Sequence, residues 1–372
     1  MTTAPARIGD SIDDIDTPAL IVDLDAFDRN VRKMADFARK NGVRLRPHAK
    51  THKSAAIALK QIANGAVGQC CQKVGEAEAL VRGGVKDVLL SNQLVSEKKL
   101  QRLAALAADA TIGLCFDSAE QVALASRVAK DFGVRIDGLV EIEVGMQRCG
   151  VEPGAAAVDL AKLIANSPGL RFRGLQAYHG TAQHLATHGD REQAIGGAAD
   201  SVRKTVDALK LAGIPCEVVT GAGTGTYSIE GSSGLWNELQ CGSYIFMDTD
   251  YARIGGRNGG RFNEFEHSLF VLATVMSVPN DERAIVDAGL KSMSYEKGPP
   301  WVHGRSDLEC VGLSDEHGKL KLKPGTRPKL GEKIMLIPGH CDPTVNLHDW
   351  YVGVRRGRVE SLWPISARGA ST

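Results

Sequence analysis

Arg46-Pro47-His48-Ala49-Lys50-Thr51-His52-Lys53 sets two lysines and two histidines directly after the apolar run Val43-Arg44-Leu45. Pro47 stops a helix from running through them. A lysine at a strand end inside a barrel is partly desolvated, which lowers its amine pKa and makes it a nucleophile toward a carbonyl. A second constellation is Thr220-Gly221-Ala222-Gly223-Thr224-Gly225-Thr226, whose backbone N–H groups and hydroxyls have the character of a phosphate site. Gly242-Ser243-Tyr244 offers further donors. A phosphate anchor with a Schiff-base lysine suggests pyridoxal 5′-phosphate. The third constellation is His340-Cys341-Asp342, after Pro338-Gly339. In an extended segment its first and third side chains share a face, which suits a divalent cation. Two ligands are too few, so water or other residues must complete the set; a hydrogen-bonded turn is the alternative reading. His184 joins the same ion only if the C-terminal part leans over the barrel mouth.

These residues need elements to place them. Short apolar runs alternate with helical spacing at Leu20–Val22, Val43–Leu45, Val67–Cys71, Asp87–Leu90, Thr111–Phe116, Gly138–Val144, Leu170–Ala177 and Glu217–Thr220. Asp117-Ser118 opens one intervening helix, and Gly42 and Gly213 close two others. Eight such units predict a (β/α)8 TIM-type barrel over residues 1–255. A doubly wound sheet is the alternative, but no GxGxxG follows the first strand. Catalytic groups of such barrels sit where the strands end, and the polar clusters fall there. They are His48 with Lys50, Gln72-Lys73, Gly145-Met146-Gln147-Arg148, Tyr178 to His184, and the glycine loop. Beyond Gly255-Gly256 the runs are strand-like without convincing helices, which predicts a mainly β domain over 256–372.

Composition narrows the function. The 372 residues are 43% hydrophobic and 24% charged with a formal net charge of +1, a globular balance with no pull toward nucleic acid or anionic membrane. No apolar run is long enough to span a bilayer, and no apolar leader follows Met1. Eight scattered cysteines without a CxxC pair read as reduced thiols of a cytoplasmic protein. Cys70, Cys71 and Cys149 read as small buried side chains, and Arg355, Arg356 and Arg358 as a solvated strand face.

From Asp16-Thr17-Pro18 to Trp363–Gly369 the chain resembles the fold-type III pyridoxal-phosphate enzymes, the group of alanine racemase. Within it, the motifs Arg46–Lys53, Gly145–Gly150, Tyr178–His184, Thr220–Thr226 and Pro338–Thr344 are most similar to the D-threonine aldolase and D-serine dehydratase branch. The resemblance implies a homodimer in which Lys50 holds the cofactor covalently. It implies Arg148 and Tyr178 beside the cofactor; Gln72, Thr220, Gly223, Thr224, Gly242, Ser243 and Tyr244 are further cofactor candidates by their place at the strand ends. It implies His340 and Asp342 as metal ligands, and His184 is the candidate general base. Dehydratases of the branch show H-x-C, whereas the aldolases show H-x-D. An imidazole with a carboxylate suits Mn2+ or Mg2+, so Asp342 favours the aldolase. The expected reaction is retro-aldol cleavage of D-threonine and related D-β-hydroxy-α-amino acids to glycine and an aldehyde. The alternatives are a 3-hydroxy-D-aspartate aldolase, a D-serine or 3-hydroxy-D-aspartate dehydratase, a racemase, and a non-catalytic cofactor carrier.

Overall fold

A computed structural model describes residues 3–372, which divide into two compact units. One comprises Lys33–Lys50, Ala55–Gly242 and the last four residues; the other comprises the chain up to Arg32, Thr51–Ser54 and Ser243–Arg368.

The first unit is a barrel. Its eight parallel strands run in the order Arg44–Leu45, Glu238–Leu239, Val218–Gly221, Leu170–Ala177, Ile136–Glu141, Thr111–Phe116, Asp87–Leu90 and Gln69–Cys71. The two ends of that order meet through a bridge between His48 and Cys70, flanked by three backbone hydrogen bonds: Val67 to Leu45 (2.8 Å), Cys70 to Pro47 (2.8 Å) and Ala49 to Cys70 (2.8 Å). The strands are almost wholly buried because helices cover one face and the barrel interior the other, so they read as continuous apolar runs rather than alternating ones. Ser118 caps its helix by accepting the Gln121 N–H, and Gly42 and Gly213 take the left-handed turns expected of them.

The barrel interior is stacked in layers. Arg46, Asp87, Asp137, Arg173 and Glu238 fill the end where the strands begin. Cys70, Leu89, Cys115, Leu139 and Val218 form an apolar middle layer. His48, Ser91, Glu141, Gln176, Thr220 and Gln240 are buried toward the other rim.

The second unit carries a nine-stranded sheet built from Ala19–Asp23, Leu269–Asn280, Arg283–Val286, Trp301–Val302, Leu308–Leu313, Gly318–Leu322, Lys333–Ile337, Trp350–Arg355 and Arg358–Pro364. Two expectations are corrected here. The apolar run Leu20–Val22 is not the first barrel strand: it pairs antiparallel with Leu269–Leu272 and parallel with Tyr351–Val354. A fully buried strand looks the same in sequence whichever sheet it joins, so periodicity alone could not place it. The remaining barrel strand is instead Glu238–Leu239, two residues long and without any period to read. The mainly β unit also starts at Ser243 rather than Gly256 and recruits the N-terminal segment. Among the described residues no helix is long and apolar enough to cross a membrane.

Candidate active site

In the barrel unit, Lys50 follows the Arg44–Leu45 strand in a turn. Its backbone N–H donates to His48 Nδ1 at 3.3 Å. An accepting Nδ1 leaves the proton of a neutral imidazole on Nε2, which donates to Ser91 Oγ at 3.3 Å, and Gln72 Nε2 donates to the same hydroxyl at 3.2 Å. Ser91 donates onward to the Cys71 carbonyl. His48 therefore ties the lysine turn to the two neighbouring strand ends. Gln72 belongs to this support, alongside Ser91, which the sequence reading did not single out.

The strand Ile136–Glu141 ends in an acid inside an apolar run. Glu141 is buried, accepts from Gln93 Nε2 at 2.6 Å and pairs with Arg148 at 3.8 Å. Burial pushes its carboxyl above the usual range, against the pull of Gln93 and Arg148. Arg148 also stands 5.9 Å over the Tyr178 ring, so the structure brings together the two side chains assigned to the cofactor ring and adds Glu141 to them. The signal for Glu141 was present: a carboxylate within an apolar strand needs a partner. The Gly145–Arg148 loop is shaped by Glu143. Burial would raise that carboxyl, but the backbone N–H groups of residues 145 to 148 hold it below its ordinary value. Gly145 has φ +111°, and a Cβ there would lie 2.7 Å from His179 Nε2, so no other residue fits. Burial in turn pushes the His179 imidazole down, opposed by Glu143.

The glycine loop follows Val218–Gly221. Thr224 Oγ1 is buried with no hydrogen-bond partner among the described residues, an expensive state for a hydroxyl unless a ligand completes it. A Cβ at Gly223 would stand 2.5 Å from Gln183 Oε1, and one at Gly225 2.3 Å from the Gln183 carbonyl. The loop can lie there only as glycine. This donor-rich, side-chain-poor cradle fits the phosphate of pyridoxal 5′-phosphate. Thr220 sits deeper: its hydroxyl accepts from Gln240 Nε2 at 2.9 Å inside the barrel wall. His184 ends the 3-10 turn Thr181–His184 and is exposed, whereas Gln183 beside it is wholly buried.

In the other unit, Ser243 and Tyr244 open the 3-10 turn Ser243–Ile245, with the buried Tyr244 ring 5.6 Å from Phe265. His340 is extended, but the expected extended H-x-D does not continue: Cys341–Val345 is a short helix and Asp342 lies in its first turn. Cys341 points into the core, donating its thiol to the Met247 carbonyl at 3.3 Å, and burial holds that thiol well above its ordinary pKa. Asp248 accepts from the backbone N–H of Cys341 at 3.0 Å and of Tyr251 at 3.1 Å. Burial raises its carboxyl, His340 pulls it down and Asp342 pushes it up, so Asp248 feels both members of the pair. His340 Nδ1 meets a Glu296 carboxylate oxygen. A histidine steadied by a carboxylate through one nitrogen, with the other left over, suits cation binding. Among the described residues no group of three or more His, Cys, Asp and Glu gathers as a metal site.

Comparison with known proteins decides the family. The alanine racemase N-terminal domain model matches residues 22–250, and a putative serine dehydratase domain matches 268–354. The chain belongs to the fold-type III pyridoxal-phosphate enzymes. It is 48% identical to a 3-hydroxy-D-aspartate aldolase of Paracoccus denitrificans (strain Pd 1222), over 98% of this chain and 95% of that one. It is 46% identical to a D-threonine aldolase of Arthrobacter sp., over 99% of this chain and 96% of that one. The crystal structure of D-threonine aldolase from Filomicrobium marinum covers 99% of this fold-type III chain with a TM-score of 0.96 and 48% identity.

Proposed function

We propose that this carbon–carbon lyase cleaves D-β-hydroxy-α-amino acids, D-threonine and 3-hydroxy-D-aspartate among them, to glycine and an aldehyde. The observation that carries the aldolase reading over a dehydratase is the pair at 340 and 342. The carboxylate of Asp342 is the hard donor, and the only thiol nearby in sequence, Cys341, is turned into the core. Lys50 is the amine that holds the cofactor, and the exchange of substrate for Lys50 begins and ends the cycle. Pyridoxal 5′-phosphate, when bound, supplies the electron sink for the pair left on Cα. Thr224 and the Gly223–Gly225 backbone hold its phosphate, and Arg148 with Tyr178 fixes its ring. His340 and Asp342 would hold a divalent cation, Mn2+ or Mg2+, whose contribution is Lewis acidity. His184 takes the proton from the substrate 3-hydroxyl, the Cα–Cβ bond breaks and the aldehyde leaves, and a proton taken up at Cα completes glycine. A base at Cα in place of one at the hydroxyl would instead release ammonia and a 2-oxo acid.

The deciding experiment is a product assay with D-threonine and Mn2+, before and after EDTA. Glycine with acetaldehyde, lost on chelation and regained with metal, is the expected outcome. Appearance of 2-oxobutanoate and ammonia would replace the aldolase by a dehydratase, and full activity in EDTA would remove the metal role of His340 and Asp342.

A further inference from the structure

Beneath the glycine loop lies a buried polar network that none of the assigned roles uses. Gln183 is wholly buried one residue before His184. Its Oε1 accepts the Gly225 N–H at 3.0 Å, and its Nε2 donates to Thr226 Oγ1 at 2.8 Å and to the His179 carbonyl at 3.2 Å. Thr226 Oγ1 then donates to Glu230 Oε1 at 2.9 Å, in the helix Tyr227–Ser232. The donors and acceptors run in one direction: amide to hydroxyl to carboxyl. Only an amide at 183 can serve this geometry. Glutamate has no donor for Thr226, and leucine would leave the Gly225 N–H unpaired. Gly223 makes room for the same side chain, and Gly225 for the Gln183 backbone.

We propose that Gln183, Thr226 and Glu230 are positioning residues: a buried relay that couples filling of the phosphate loop to the setting of His184. It rests on the reading of that loop as the phosphate anchor and of His184 as the base. Gln183 grips the loop through Gly225 and shares a single 3-10 turn with His184, so a displacement of the loop is carried to the base through one turn of backbone.

Glu230 makes the relay sensitive to pH. Burial pushes its carboxyl up to about 8, against the Thr226 hydrogen bond. It is therefore neutral at pH 7 and ionised above pH 8. The titratable side chain facing it from the stretch after Glu238–Leu239 is Cys241, which burial and then Glu230 push well above the ordinary thiol value. The helix Leu24–Lys40 sets the apolar Phe37 ring on the same short helix, edge-on to Tyr227 at 4.7 Å and against Gly231. The helix His188–Leu211 also packs on it and carries the buried Arg191, whose Nη1 donates to the Leu185 carbonyl at 2.8 Å. Above pH 8 an ionised Glu230 sets a negative charge beneath the loop, which opposes a phosphate dianion.

The test uses the wild-type protein with Gln183→Leu, Glu230→Leu and Glu230→Gln, and reads the cofactor dissociation constant by spectroscopic titration as well as kcat and KM. Glu230→Leu should weaken cofactor binding about tenfold, the loss of one buried hydrogen bond, and Gln183→Leu, which loses three, by at least as much. Gln183→Leu should also lower kcat at saturating cofactor, since His184 is then mis-set. Glu230→Gln should rescue the Leu defect. In the wild type the dissociation constant should rise about fivefold more between pH 7 and pH 9 than in Glu230→Gln, because only the wild type ionises there. Equal pH slopes in wild type and Glu230→Gln would overturn the role of Glu230. An unchanged kcat in cofactor-saturated Gln183→Leu would overturn the coupling to His184. Should Gln183→Leu fail to fold, the pH slopes alone decide. If the wild type binds cofactor but cleaves no D-β-hydroxy-α-amino acid, the functional reading fails, and those slopes still judge the relay.

Discussion

His340 meets Glu296 through Nδ1, which would leave Nε2 for the proposed cation. A carboxylate behind a ligating imidazole sets ring orientation and raises ligand basicity. Glu296→Gln keeps the shape and removes the charge. Mn2+ affinity, measured by calorimetric titration, should fall about tenfold; unchanged affinity would leave Glu296 a surface contact. Residues of this kind were beyond sequence reading. Nothing in Ser294-Tyr295-Glu296-Lys297 distinguishes Glu296 from a solvated acid, and its relation to His340 spans 44 residues of chain. Gln183 and Glu230 are similar cases, since each owes its role to burial by other segments. Lys50, Arg148, Tyr178 and the glycine loop were readable as candidates because unusual residue types collect at strand ends.

Among the elements, the charged layer where the strands begin matters most for stability. Arg46 opens the stretch that holds Lys50, yet its guanidinium points away from Lys50's end, pairing with Asp87 at 2.7 Å and Glu238 at 2.9 Å. Burial opposes its charge, but Glu238 and Asp87 outweigh that and hold it firmly protonated. Arg46→Met would strand the buried Glu238 without this partner, costing about 3–5 kcal/mol of stability in denaturant unfolding. A loss under about 1 kcal/mol would mean that Arg44, 3.5 Å from Glu238, compensates. Long apolar strands such as Thr111–Phe116 and Leu170–Ala177 were readable from the chain. Gly318–Leu322 was not singled out although its burial alternates strictly, because two lysines in five residues dilute an already short period. Arg355, expected as a solvated face, is held by Asp25, Asp28 and Glu360. Its partners at 25 and 28 come from the helix after Ala19–Asp23, so that network followed from a strand placement the sequence could not supply.

For the molecule as a whole, cofactor binding is linked to folding. Pyridoxal 5′-phosphate at about 100 times its dissociation constant should add about 2.7 kcal/mol to unfolding free energy. Lys50→Ala, lacking the covalent share, should gain clearly less at the same concentration in parallel denaturant titrations; an equal gain would remove Lys50 from its assigned role. The barrel is also thinly held where its sheet order closes. Its sheet order ends at Arg44–Leu45 and Gln69–Cys71, and those ends meet through three backbone hydrogen bonds around Pro47 and Cys70, against six paired positions between Ile136–Glu141 and Leu170–Ala177. A ring parts at its thin junctions, and this one lies two residues from Lys50. The lysine therefore sits on the clasp of the ring. On the role proposed for Lys50, whatever holds it would also shut the clasp, and each turnover that freed it would loosen the ring at that point.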